Sequence, residues 1–220
     1  MTYPVAEKIE SFRAALPPEV ELVAVSKTKP VEMLQAAYQV GQRHFGENRV
    51  QEMADKYEQL PKDIKWHMVG HVQSNKIKYM APFVHLVHGM DKPKRLKELN
   101  KEAAKNNRQI DCLLQIHIAQ EESKFGFDYT EARQLLEQKP GEKYPHLRIR
   151  GLMGMATLTD DQDQVRREFA GLAAFFREQQ SLGHLAAFDI LSMGMSGDYQ
   201  IAMEEGANMI RIGSTLFGPR

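Results

Sequence analysis

The sequence predicts an α/β fold: a single (β/α)8 barrel of the TIM type, residues 1–220 forming one domain, with an extra helix at its N-terminus. Three observations predict it. Short apolar runs alternate strictly with longer amphipathic ones, and strict β/α alternation implies a parallel sheet. Several short runs are apolar at consecutive positions, as strands covered on both faces must be. Eight such units fit into 220 residues, near the short end of the range for a barrel. A doubly wound open sheet is the structural alternative. No GxGxxG follows the first strand, so its dinucleotide-binding form loses support.

The predicted strands are Leu22–Ser26, His44–Gly46, Trp66–Gly70, Val84–His88, Cys112–Ile118, Ile149–Met155, Phe188–Met193 and Met209–Gly213. Between them the helical period runs over Val31–Val40, Val50–Leu60, Ser74–Met80, Pro93–Asn106, Tyr129–Gln138, Gln162–Leu182 and Asp198–Glu205, with the extra helix at Val5–Leu16. Pro30 and Pro93 suit a first helical turn. Gly41, Gly183 and Gly206 each follow a helical pattern, where a left-handed residue ends the helix.

With 42% apolar and 26% charged residues, the chain has the makeup of an ordinary globular protein able to bury a full core. Formal net charge is zero, so bulk electrostatics favours neither nucleic acid nor an acidic membrane surface. The segment Lys92–Arg108 holds seven basic residues, but Glu98 and Glu102 interrupt it, as on a solvated helical face. Cys112 is the only cysteine, which rules out an intrachain disulfide and permits a reducing compartment. The first residues carry acids in an amphipathic pattern instead of the apolar core of a signal peptide, and no run reaches membrane length. We expect a cytoplasmic protein with no nucleic-acid or membrane partner and, by default, a monomer.

In a barrel of this kind chemistry belongs at the C-terminal ends of the strands. Lys27 ends the first one. Val23, Val25 and Lys27 share one side by period-two alternation, so the lysine points toward the core or its mouth. There burial and nearby cations would make a nucleophilic amine; alternatively the strand has ended and Lys27 is solvated. Lys29, before Pro30 in a turn, is the rival amine. Arg211 shares a strand face with Met209 and Gly213 and, if inward, needs an acceptor, a ligand or a structural ion pair. Two loops rich in small residues, Ser192 to Ser196 and Gly213-Ser214, follow strands seven and eight, where barrels often hold phosphate. Glu47 and Asn48 close strand two, where the acid fits a helix start and the amide could meet a ligand. Among the eight histidines, His67 and His71 are four apart on a strand and its loop, and His85 and His88 fall on opposite strand faces. Neither pairing gives a metal-ligand pattern, and we expect no metal site.

These residues sit in motifs that resemble the pyridoxal phosphate homeostasis family, also called YggS-like or proline synthetase co-transcribed proteins. The carriers are Val23-Ala-Val-Ser-Lys27-Thr-Lys-Pro30, His44-Phe-Gly-Glu-Asn48, Trp66-His67-Met-Val-Gly70, Gln73-Ser-Asn-Lys76, Arg150-Gly-Leu-Met153, Leu191-Ser-Met-Gly-Met-Ser196 and Arg211-Ile-Gly213. The resemblance runs nearly end to end and implies a barrel similar to the N-terminal domain of alanine racemase. It implies pyridoxal 5'-phosphate as cofactor, with Lys27 as the Schiff-base lysine and Arg211 facing the pyridine nitrogen. Ser192, Gly213 and Ser214 match the phosphate cradle, and Asn48, His67 and Met155 are ring neighbours. Ser214 stands where threonine is common, which keeps a hydroxyl; His71 stands where proline is frequent, which leaves any role for it open.

The resemblance also implies a cofactor carrier and regulator without established turnover, whose partners would be amino acids or apoenzymes that accept the cofactor. An arginine stays protonated and would leave the pyridine nitrogen unprotonated, weakening the ring as an electron sink. Alanine racemase supplies a tyrosine base from a second domain for which this chain has no length. The alternative reading is a pyridoxal phosphate-dependent racemase or related enzyme; a third is a Schiff-base aldolase without cofactor.

Overall fold

The computed structural model describes residues 4–121, 125–183, 185 and 187–219. Eight parallel strands form a closed barrel in sequence order, each hydrogen-bonded to the next and the last to the first. In chain order the elements are α1 (Val5–Ala14), β1 (Glu21–Val25), α2 (Val31–Gln39), β2 (His44–Glu47), α3 (Val50–Gln59), β3 (Lys65–Met68), α4 (Ile77–Met80), β4 (Leu86–Met90), α5 (Pro93–Lys105), β5 (Ile110–Ile116), α6 (Tyr129–Glu137), α7 (Pro140–Lys143), β6 (Leu147–Gly154), α8 (Gln162–Ser181), β7 (Ile190–Ser192), α9 (Tyr199–Glu204), β8 (Met209–Ile212) and α10 (Ser214–Phe217). The predicted fold class and the order of all eight strands hold.

Strand five starts and ends two residues earlier than predicted, at Ile110–Ile116, and other details also depart from expectation. The predicted helix at Ser74–Met80 begins as a separate 3-10 turn, Ser74–Lys76. Two short helical turns, α7 and α10, were not foreseen; Lys139, left-handed at φ 51°, separates α7 from α6. Strand four is displaced by two residues, to Leu86–Met90, because the backbone of His85 pairs with Trp66 before the ladder to β5 begins. The helix-ending glycines Gly41, Gly183 and Gly206 all have positive φ, as predicted.

Strand alternation divides two cores. Leu22, Ala24, Phe45, Trp66, Met68, Cys112 and Leu114 face outward and are sealed by the helices. Val23, Leu86, Leu113, Met153 and Met209 face inward and fill the barrel. One bulge shifts this alternation. Cys112 pairs with Ile149, but the next pair is Leu113 with Gly151, so β6 has an extra residue there. Ile149 and Leu152 therefore both face out, and Met153 turns in. Gly151 takes φ 149°, and a Cβ there would lie 1.8 Å from the Ile190 carbonyl oxygen, so only glycine fits.

Candidate functional site

At the C-terminal mouth of the barrel lies a cavity of about 450 Å³. Six of the predicted site residues line it: Lys27, Asn48, Met155, Arg211, Gly213 and Ser214. Each arrives from the end of a different strand or the loop after it, save for the three that follow the line of β8. Ser196 and Gly197 of the loop after β7 face the same space, as do Gln115 and Phe125. The sequence reading missed these last two: Gln115 looks like one more position in a buried strand, and Phe125 is an exposed loop aromatic with no periodicity to flag it.

Lys27 extends the inward line of Val23 and Val25 and is half-buried, so the reading as a fully solvated strand end is set aside. The rival Lys29 also reaches the cavity, but its ammonium donates to the carbonyl of Pro219 at 2.7 Å. Thr28 has φ 64°, a conformation that a β-branched residue adopts only under constraint. The constraint is visible. The Thr28 N–H donates to Glu52 at 2.5 Å, and the Lys56 ammonium donates to Glu52 and Glu47, both at 2.7 Å, and to the Ser26 carbonyl at 2.8 Å. The Ser26 hydroxyl completes the knot by donating to Glu47 at 2.7 Å. The backbone on both sides of Lys27 is thus tied to a buried ion cluster on the outer face of the barrel.

Glu47 therefore does not serve as a helix start. It ends β2 fully buried, and burial pushes its carboxyl up to about 7 against the opposing pull of Lys56 and Ser26. A signal for Lys56 was present: it continues the buried stripe Val50, Met53, Lys56 of α3, a lysine where a core residue belongs.

Arg211 is 4% exposed at the cavity floor. Its guanidinium donates to the Ser192 hydroxyl at 2.6 Å and the Gly154 carbonyl at 3.0 Å. Both hydrogen-bond acceptors are uncharged, Asp198 adds a charge attraction, and the guanidinium borders the cavity. Burial lowers its pKa to about 10, which still leaves it charged at neutral pH.

Two predicted cofactor neighbours, Ser192 and His67, do not line the cavity; both are fully buried beneath it. Ser192 supports Arg211 from below because the inward side of β7 at that level is already under the guanidinium. Its oxygen also meets His88 Nδ1 at 3.1 Å, and His88 Nε2 meets His67 Nδ1 at 2.9 Å. His67 and His88 thus form a polar file down the barrel axis. His85 and His88, expected on opposite faces, both come beside His67, with ring centroids 5.4 and 5.2 Å away. His85 precedes the strand proper, where alternation does not apply. His71 is at the cavity rim, its ring tilted against Phe125 with centroids 4.2 Å apart, and bonded to Arg95 at 2.7 Å.

A primary amine, a buried guanidinium opposite it, and small-residue loops with backbone N–H groups between them can bind a small anionic aldehyde. Glycine at position 213 keeps the backbone close, since a Cβ there would stand a tight 3.3 Å from the Val25 carbonyl oxygen; its N–H donates to the Ser196 hydroxyl at 3.3 Å.

Comparison with known proteins agrees with this geometry. The family described as "Alanine racemase, N-terminal domain" matches residues 4–220. A pyridoxal phosphate homeostasis protein of Synechocystis sp. is 39% identical over 212 residues, 94% of each chain. Another, of Vibrio alginolyticus, is 38% identical over 209 residues, 93% of this chain and 88% of that one. The structure of PipY of Synechococcus elongatus PCC7942 with PLP bound has a TM-score of 0.87 at 37% identity, covering 97% of this chain and 100% of that one. Alanine racemase of Bartonella henselae shares the fold, with a TM-score of 0.72 at 17% identity over 98% of this chain and 60% of that one. The chain is a member of the alanine racemase N-terminal domain family, on the branch of the pyridoxal phosphate homeostasis proteins.

Proposed function

We propose that this protein binds pyridoxal 5'-phosphate at the mouth of its barrel and serves the homeostasis of that cofactor as a carrier and regulator. The observation that carries the reading is the convergence of Lys27, Arg211 and the Gly213-Ser214 turn on one cavity. The bound cofactor would supply an electrophilic aldehyde and an electron-withdrawing ring. Lys27 would hold the aldehyde end, on a backbone fixed by Lys56 and Glu47. Gly213, Ser214 and, from the facing loop, Ser196 would hold the phosphate. Arg211 would meet the ring nitrogen with a donor and, being charged at neutral pH, would keep a proton off it. Asn48 and Met155 would flank the ring, while Ser192, and His67 behind His88, would act only through Arg211.

That arrangement favours keeping and releasing the cofactor, to amino acids or to apoenzymes, over carbanion chemistry. Cytoplasmic residence belongs to the same proposal. It is supported by a lone, buried thiol and by the finding that no helix among the described residues is long and apolar enough to cross a membrane.

The test is a visible spectrum of the protein with pyridoxal phosphate, followed by borohydride reduction and mapping of the modified peptide. We expect a visible band, absent from Lys27→Ala, and label on Lys27. Label on Lys29, or a band unchanged in Lys27→Ala, would overturn the assignment. Incubation with L-amino acids, followed by chirality and α-hydrogen exchange, tests the carrier role; robust turnover lost with Lys27 would replace it with the racemase reading.

A further inference from the structure

The opposite mouth of the barrel carries a cluster that the cofactor site does not use. His44 opens β2, His67 lies in β3 and His85 stands just ahead of β4. One ring nitrogen from each lies within 4.8 Å of the others. The centroids of His44 and His67 are 5.1 Å apart, and those of His44 and His85 5.7 Å.

The orientation of the rings is the informative part. His44 Nδ1 and His67 Nε2 face each other at 2.9 Å. The far nitrogen of each ring is held from behind. His44 Nε2 is 3.5 Å from a carboxylate oxygen of Glu21, and His67 Nδ1 is 2.9 Å from His88 Nε2. Metal-binding imidazoles are held this way, the remote N–H fixing tautomer and ring plane. His85, exposed at the rim, closes the triangle. A cavity of about 240 Å³ lined by His44, His85, Glu21 and Asp111 gives an entry path and room for water.

The surrounding charges are mixed. Lys65, Arg150 and Arg108 are the cations that act on the cluster. Asp111 and Asp189 face the cavity but are already paired, with Arg148 and Arg150 and with Arg150 respectively. Burial is the first cause that holds His44 down to about 3 and lowers His67 and His85; Lys65 comes next for His44 and His85, and the neighbouring rings of His88 and His44 for His67. A metal needs a ring-nitrogen lone pair, and each of the three rings places one nitrogen in the cluster.

We propose that His44, His67 and His85 form a binding site for a divalent transition metal, best fitted to Zn²⁺, with Glu21 and His88 orienting two of the ligands. Three imidazoles with one open position for water is a geometry zinc adopts, and a nitrogen-only donor set disfavours magnesium and calcium. The ion would take the place of the proton between His44 Nδ1 and His67 Nε2, which moves to His67 Nδ1 as His67 and His88 both change tautomer. The facing nitrogens of His44 and His67 would part from 2.9 Å to about 3.3 Å, as tetrahedral Zn–N bonds of about 2.0–2.1 Å require. No ring gains or loses net charge. His44 keeps its proton on Nε2 toward Glu21, His67 carries its own on Nδ1 toward His88, and His88 on Nδ1 toward Ser192.

The site is tested on full-length protein freed of metal by chelation, titrated with Co²⁺ and then challenged with Zn²⁺. We expect one equivalent of Co²⁺ with intense tetrahedral visible absorption, displaced by Zn²⁺ binding tighter than about 10 μM. His85→Ala and His44→Gln should each weaken binding at least about tenfold, while His146→Ala, on a histidine outside the cluster, should not. His85 is at the rim, so its variant serves even if His44→Gln fails to fold. The absence of stoichiometric binding, a weak octahedral spectrum, or unchanged affinity in His85→Ala would overturn the proposal. None of these readouts involves the cofactor.

Discussion

Replacing Lys56 with methionine keeps most of the side chain's length and removes its charge. The ammonium now serves Glu47, Glu52 and the Ser26 carbonyl at 2.7–2.8 Å, and Lys56 and Glu47 are 5% and 0% exposed. Breaking a buried pair by removing one member costs about 3–5 kcal/mol, since the survivor's charge is left without compensation. Glu47 can escape part of that cost by binding a proton. In the wild type its carboxyl stands at about 7, so its contribution to stability is present below 4.5 and is lost as pH rises through 7. Without Lys56 its pKa climbs further. Above pH 7 the variant's native state then holds a proton that the wild-type native state has released. The variant's deficit should therefore widen by up to about 1.4 kcal/mol per pH unit between 7 and 8. At pH 5 both native proteins carry protonated Glu47, and the deficit should shrink toward the lost hydrogen bonds, about 1–3 kcal/mol. Urea unfolding followed by circular dichroism at pH 5, 7 and 8 measures all three values. A deficit under about 1 kcal/mol at pH 8, or one larger at pH 5 than at pH 8, would refute the reasoning.

Two further outcomes follow from packing. Gly151→Ala drives a Cβ into the Ile190 carbonyl and should cost more than about 3 kcal/mol, whereas Gly183→Ala, at φ 65° with open space around it, should cost about 1–2 kcal/mol; equal losses in thermal melts would contradict the bulge account. Cys112 is fully buried, and burial pushes its thiol well above the usual range, so native protein should resist a thiol reagent such as DTNB and give one thiol per chain only in denaturant; prompt labelling of the native state would show that β5 opens locally.

The barrel was legible because its signals are local and redundant: each strand is a short apolar run, and α2, α8 and α9 are each followed by a glycine that takes positive φ. Lys27 was legible for the same reason, since two valines ahead of it fix its direction. Its neighbours behave differently. Met155 faces the cavity only because the bulge at Gly151 reverses the alternation set by Ile149, and a lone glycine in a strand does not announce a change of phase. The Lys56–Glu47 pair joins α3 to the outer face of β2, and a lysine on an apolar stripe reads equally as a surface residue at the stripe's edge. The histidine cluster was invisible to spacing within single strands because its members come from β2, β3 and the approach to β4, brought together only by closure of the sheet.

The file of rings inside the barrel has an electrical consequence. From Glu21 through His44, His67, His88 and Ser192 to Arg211, every ring presents one nitrogen to each neighbour. A neutral imidazole donates at one nitrogen and accepts at the other, so each ring's dipole must point the same way as the next. A carboxylate only accepts, so Glu21 selects the polarity in which His44 carries its proton on Nε2, and no single ring can reverse without the others. The interior thus carries an aligned dipole fixed between a carboxylate at one mouth and a guanidinium at the other. A substitution such as His88→Phe would do more than remove a bond: it would cut that dipole in two and alter the field at Arg211 without moving the backbone.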